Sequence, residues 1–427
     1  MSILDLLPFR KKRTELVKVE PQIIAPAKQR RAGARAYGGA IVDRLTSDWI
    51  APGTSADSEI FGSLRILRNR SRAILRDYDF ARAGARALVN NVVGRGVRLQ
   101  MQVKMLRGEG KLATDINDAI ETAFWDWGRA GNCDVTGRLS WADVQALAFR
   151  RIFEDGEILL RRINTERFGD SRYPFALEVI EADMLADDHN GEWQGREIRM
   201  GVEVDRWGRP AAYWLHPRHP GDYQFRGRVD QTRLVRIPAA EIKHIFVVDR
   251  PGQTRGVPWL AATIKRVRNT QGYEEAEVIA ARVQACNMGF VISPEGDYAA
   301  DDENPEDANL PTLNMEPGVL ERLGPGEEIT FNNPTRPAGN YEPFMRSQGR
   351  GFAAGIGVTY EELSGDYSQS NYASSRLGRS NTQDGHRVVQ SWLIGQLHEG
   401  VFGQWLVEAV AGGARDLADF RAAPARY

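Results

Sequence analysis

The 427-residue chain has almost no cysteine, little histidine and no excess of either charge. Its two cysteines, Cys133 and Cys286, lie far apart, which excludes a disulfide framework and fits a reducing compartment. Both read as small buried apolar side chains. Basic and acidic residues number 56 and 57, a net charge of −1, whereas a tight passive nucleic-acid binder is clearly basic. No run of about 18 apolar residues is present to cross a bilayer. The stretch from Met1 to Phe9 is too short and too poorly flanked for a signal peptide, so the chain is expected to be made and used in the cytoplasm.

Catalytic signatures are missing as well. There is no G-x-x-x-x-G-K-[ST] loop to cradle a phosphate and no G-x-S-x-G elbow. Gly94-Arg95-Gly96 lacks the third glycine of a dinucleotide site, and His398-Glu399 opens like a zincin motif but meets Phe402 where the second ligand belongs. His216 and His219 sit in a His-Pro-Arg-His-Pro turn with no ligand spacing around them. Glu181 and Asp183 have no second acid–base group beside them and read as structural. No catalytic residue, cofactor or metal ligand set is therefore expected.

What is present is ordinary globular composition, 42% apolar and 26% charged, enough for two or three domains. Residues 1–36 carry nine basic and three acidic groups, a local charge of +6, and read as a basic arm. Spacing predicts a long helix over 63–93, with Arg65, Arg68, Arg72 and Arg76 on one face. An extended piece at 97–103 is followed by a helix over 112–129 with the stripe Leu112, Ile116, Ile120, Phe124 and Trp127. A third helix starts at Ser140, where Ser140 and Asp143 fit a capping box. Short strands follow at 157–163, 175–180, 198–204, 211–215 and 242–248, giving an α+β domain without βαβ alternation. A helix then runs from Pro258 to Ala285. The segment 287–321 holds nine acids and no Lys or Arg, with several prolines. A Gly-rich helix over 340–357, a Ser/Asn/Tyr-rich loop over 359–375 and a last helix over 376–411 complete the chain.

Four stretches in order resemble the lambda-type bacteriophage portal family. They are Leu64-Arg65 with Arg68 through Gln100; His244-Ile245-Phe246 with Gln253, Arg255, Gly256 and Pro258; Pro325-Gly326-Glu327-Glu328 through Phe344; and Ala353-Ala354-Gly355-Ile356-Gly357 through Arg376. The resemblance implies a portal fold in a cyclic ring, typically twelvefold. It implies a wing at 37–257, stem helices at 258–286 and 340–357, an acidic clip at 287–339, and a tunnel loop at 358–375. The wing's long helix and a short tail would fill 376–427. Family members continue past the position of Tyr427, so the crown is expected to be short or absent.

Expected partners are further copies of the chain, passing double-stranded DNA, the terminase large subunit, head-completion or tail connector proteins and the major capsid protein, with no membrane. The location implied is the capsid portal vertex after assembly in the host cytoplasm. Ser368, Gln369, Ser370 and Asn371 are expected in the DNA channel, with Tyr367 and Tyr372 anchoring the loop's base. Asp301, Asp302, Glu303, Glu306 and Asp307 are expected at the partner-binding clip. Gly349, Ala353 and Gly357 are expected to let a neighbouring copy approach closely. A near-neutral chain that does not collect phosphates suits a conduit through which DNA slides. Another capsid structural protein, shell or connector subunit, and a cytosolic hydrolase with scattered catalytic groups stay open as alternatives.

Overall fold

Helices in this chain begin where a side chain can accept the first free backbone amides. The computed structural model describes residues 53–104, 112–164, 166–222, 224, 233–285, 289–292, 328–331, 340–368 and 371–412, with Arg44, Ser47 and Asp48. Met1–Gly53 and Thr54–Tyr427 form two compact units; the elements below belong to the second. Ser55 caps α1 (Ala56–Phe61) through the Ser58 amide. The capping box expected at Ser140 and Asp143 starts α5 (Trp141–Asp155).

The single helix expected over 63–93 is two helices, α2 (Leu64–Asp77) and α3 (Asp79–Val92). Tyr78 between them is extended (φ −117°, ψ 118°), and the Asp79 carboxylate accepts the Phe80 amide at 2.7 Å. Asp favours such local capping over continued helix. Next, α4 (Thr114–Trp127) buries Ile120, Phe124 and Trp127, while Leu112 stays exposed before its start.

The strands form two main sheets. β1 (Glu157–Ile163) lies between β2 (Ala176–Ile180) and β8 (Ile242–Phe246), antiparallel to both. β3 (Gly191–Trp193), β4 (Arg196–Arg199), β5 (Val202–Val204), β6 (Pro210–Leu215) and β7 (Val235–Pro238) form a second sheet in chain order. The expected strand 198–204 is thus split, because Met200 and Gly201 take positive φ and turn the chain between β4 and β5.

The helix expected from Pro258 opens as a 3-10 turn at Trp259–Ala262, and α6 proper is Ile264–Ala285. At 1.5 Å per residue it is about 33 Å long. β9 (Gly289–Ile292) pairs antiparallel with β10 (Glu328–Phe331). The acids Asp301, Asp302, Glu303, Glu306 and Asp307 lie outside the described residues, as do Cys286, the 1–36 arm and 413–427. α7 (Tyr341–Ile356) then leads to α8 (Tyr360–Ser364). α9 (Tyr372–Leu393), a π turn at Ile394–His398 and α10 (Glu399–Ala411) keep 372–411 helical throughout.

One apolar core joins α2–α5, the first sheet, the start of α6, the end of α7 and α9–α10; Trp127 and Trp405 are fully buried in it. Cys133 is buried there, and burial pushes its thiol up to about 12, which leaves it a small inert side chain. A smaller core of Leu159, Ile180, Tyr213, Leu215 and Ile237 lies between the two sheets.

Two glycines set the distance between the end of α5 and the loop before α6. Gly156 ends α5 in the left-handed region (φ 92°), and a Cβ on it would lie 2.7 Å from the Pro258 nitrogen. A Cβ on Gly256 would run into the Gly156 carbonyl in turn. Gly156→Ala should therefore combine backbone strain with a clash against main chain, and lower stability by at least about 2 kcal/mol. Urea unfolding checks this, and an unchanged midpoint would show that the approach is not tight.

Candidate functional site

Beside that glycine contact lies a carboxylate with no solvent. Glu157 opens β1 and is 0% exposed. Its Oε1 accepts from Arg68 Nη2 at 2.9 Å and from Arg255 Nη2 at 2.5 Å. Its Oε2 accepts from Arg255 Nε at 3.0 Å and from the Gly256 amide at 2.9 Å. His244 Nε2 on β8 lies 3.0 Å from Oε2; a carboxylate can only accept, so that nitrogen carries hydrogen. Arg255 also donates to the carbonyls of Met200 at 2.8 Å and Ala182 at 3.3 Å. Burial raises the Glu157 carboxyl, but the charge of Arg255 and the His244 contact outweigh it and hold it below the usual carboxylate range.

The network continues outward. Arg68 reaches Asp183 at 3.0 Å. Arg72 touches Asp155 at 2.6 Å, Asp183 at 2.5 Å and Glu181 at 2.8 Å. His219 Nε2 lies 3.5 Å from Glu181 and 3.7 Å from Asp183. Those three side chains have the spacing of a metal ligand set. Arg72 already sits against both carboxylates, so a divalent cation would have to displace it. The arrangement ties α2, the end of α5, β1, β8 and the loop before α6 into one joint.

From that joint α6 and α7 run side by side. A Cβ on Gly351 would lie 2.6 Å from Arg266 Nη1 on α6, and one on Gly355 would run into Thr263. Arg266 donates to Gln348 at 2.8 Å. The small residues expected to face a neighbouring copy are used largely inside this one. A Cβ on Gly349 would lie 2.7 Å from the Tyr360 ring, and Ala353 is 2% exposed in the core. Gly357, the left-handed cap of α7, faces open space.

The loop expected over 358–375 is shorter than its sequence implies. Thr359 and Glu362 form a capping box that folds 360–364 into α8, and Gly365 ends it at φ 69°. The stretch between helices is 365–371. Ser368 is exposed, its amide donating to Asp366 at 2.9 Å, and Asn371 is exposed. Gln369 and Ser370 lie outside the described residues. Tyr367 is 58% exposed and does not pack the loop's base against the helices as expected; nothing is described of the Tyr372 side chain.

Of the four expected DNA-channel positions, Ser368 and Asn371 are exposed between α8 and α9, while the buried joint is not foreshadowed as a unit by the sequence. Its signal was the arginine face of α2, which has Asp77 as its one acid and so needs carboxylates from elsewhere.

Comparison with known proteins places the chain in a family. The lambda family of phage portal proteins matches residues 42–390. A probable portal protein of Halomonas phage phiHAP-1 is 32% identical over 392 residues, covering 89% of this chain and 74% of its own. Portal protein B of Escherichia phage lambda is 20% identical, covering 89% and 75%. Among solved structures, the neck of a native gene transfer agent particle computed with C12 symmetry is a remote likeness, at 14% identity, TM-score 0.42 and coverage of 77% and 81%. The chain belongs to the lambda family of phage portal proteins.

The buried joint makes a pH-dependent prediction. The Glu157 carboxyl is depressed in the folded state, so its contribution is complete above about pH 4.5 and is lost as pH falls through the folded value. Glu157→Gln should cost about 3–5 kcal/mol at neutral pH, because two guanidinium groups lose their buried counter-charge. Its stability should also change less steeply below pH 4.5 than the wild type's. Urea unfolding across pH tests both; equal stability at pH 7 would contradict the role assigned to the carboxylate.

Proposed function

We propose that copies of this chain close into a ring at one capsid vertex and form the channel through which double-stranded DNA enters and leaves, as a structural, non-enzymatic component of the virion. The observation that carries the ring is apolar exposure along the helices. Val278 and Ile279 on α6, Phe344 on α7 and Leu377 and Val388 on α9 are 40–72% exposed in one copy. Such surfaces mark contacts with other chains, and a heterologous contact that closes makes a ring. Of the three small residues assigned to subunit contact, Gly357 is the one that leaves room for a neighbour.

In this reading 37–257 is the wing and α6 and α7 are the stem. The acidic 287–339 segment is the clip that docks the terminase large subunit and head-completion or tail connector proteins. The 365–371 connection borders the channel, and the wing meets the major capsid protein. Assembly takes place in the host cytoplasm. Neutral hydroxyl and amide groups at Ser368, Gln369, Ser370 and Asn371 can contact phosphate without the counterion-release affinity of Lys or Arg, which suits sliding. Movement then draws on a separate ATPase.

Native mass spectrometry of the purified chain should give closed assemblies of about twelve copies; monomer or dimer at every concentration would contradict the proposal. Gln369→Lys with Ser370→Lys should leave rings intact and slow DNA movement, with partial relief at higher salt as added charges are screened. Unchanged packaging rates in rings of the double variant would remove 365–371 from the channel.

A further inference from the structure

A groove of about 680 Å³ lies away from the stem, between residues 95–99, the outer face of α4 and the start of α5. Its floor is apolar, with Leu99, Phe124, Trp125 and Trp141. Its rim is basic, with Arg95, Arg98 and Arg129. Arg98 stacks over the Trp125 ring at 5.3 Å, and Trp125 is 59% exposed. The one acid of the lining, Glu121, is committed to the Met101 amide at 2.7 Å. Arg129 has a solvent-exposed partner in Asp126, a pairing that contributes little. Arg95 and Arg98 have no carboxylate partner among the described residues.

The wall of the groove, residues 97–103, belongs to no sheet among the described residues and is held by side chains. Burial alternates along it, with Met101 and Val103 turned in and Arg98, Gln100 and Gln102 turned out. Gln145 brackets Val97, accepting its amide at 2.7 Å and donating to its carbonyl at 3.2 Å. Glu121 takes the Met101 amide. The Leu99 amide between them has no hydrogen-bond partner among the described residues. An extended segment with open backbone groups is a template for one added strand.

We propose that this groove binds an acidic, extended peptide segment of a partner protein. Its carboxylates would meet Arg95 and Arg98, an apolar side chain would lie on Trp125 and Trp141, and its backbone would pair beside Leu99. The charge complementarity fixes the sign of the ligand. A DNA duplex would offer phosphates to the arginines but no backbone amides or carbonyls to pair beside Leu99, whereas a peptide strand offers both. The proposal rests neither on the 365–371 connection nor on the exposed apolar side chains of α6, α7 and α9, so either can fail without the other.

The test uses the purified full chain and a fluorescein-labelled peptide alternating glutamate with valine and leucine, against a control with lysine in place of every glutamate. Fluorescence anisotropy should show saturable binding of the acidic peptide only. Arg98→Glu should weaken it by at least about tenfold and give the lysine peptide measurable affinity; this reversal is a result that loss of folding would not produce. Trp125→Ala should weaken the acidic peptide without reversing the preference. Methylating alternate peptide amides should abolish binding if a strand is added. Equal binding of the two peptides, no effect of Arg98→Glu, or displacement by a DNA oligonucleotide at equal concentration would overturn the proposal. So would binding by unassembled chains that vanishes in rings, which would give the groove to a neighbouring copy.

Discussion

The structure hangs on one carboxylate that cannot reach water. Glu157 gathers Arg68 from α2, His244 from β8 and Arg255 with the Gly256 amide from the loop before α6. Each donor comes from a different stretch of chain, so none can move without leaving a buried charge unpaired. Removing one member of such a set is costly, yet the complete set adds little over a well-packed apolar cluster. Its value is geometric: β1 is fixed relative to α2, and the loop that launches α6 is fixed to both.

The glycines finish what the charges begin. Gly156 and Gly256 bring two main-chain segments into contact beside Glu157, and Gly351 and Gly355 bring α7 against α6. Side chains at these positions would push the helices off the joint. In the proposed ring, α6 and α7 must leave the rest of the chain at a set angle, because a small angular error is repeated at every interface. The outer sides of the same helices keep their apolar side chains exposed, Val278 and Ile279 among them. Gly351 and Gly355 are thus used inside one copy, and in the proposed ring the larger apolar side chains are left for others.

Local chemistry was legible in the sequence where it was self-contained. The Ser140–Asp143 capping box, the buried Ile120–Phe124–Trp127 stripe and the strands at 157–163 and 211–215 depend on neighbours a few residues away. The break at Tyr78 was hidden because α2 and α3 share helical composition and the turn rests on one aspartate. The loop after α7 read as longer because its small polar residues mask the Thr359–Glu362 box. Gly349 and Ala353 were read by their spacing, but what they touch, Tyr360 and the core, is a matter of tertiary packing. The Glu157 joint was out of reach for the same reason: its partners are 87 to 99 residues away in sequence. The motifs that carry the family resemblance contain Arg68, His244 and Arg255, which meet only in the fold.

In the proposed ring, the buried joint presents α6, α7 and the 365–371 connection to a shared axis. Electron cryo-microscopy of the purified assembly measures it directly. The account predicts a closed ring in which 365–371 faces the central opening, the Glu157–Arg255 contact is intact in every copy and α6 and α7 pack against neighbours. A reconstruction with 365–371 on the outer surface, or with no closed ring, would contradict it.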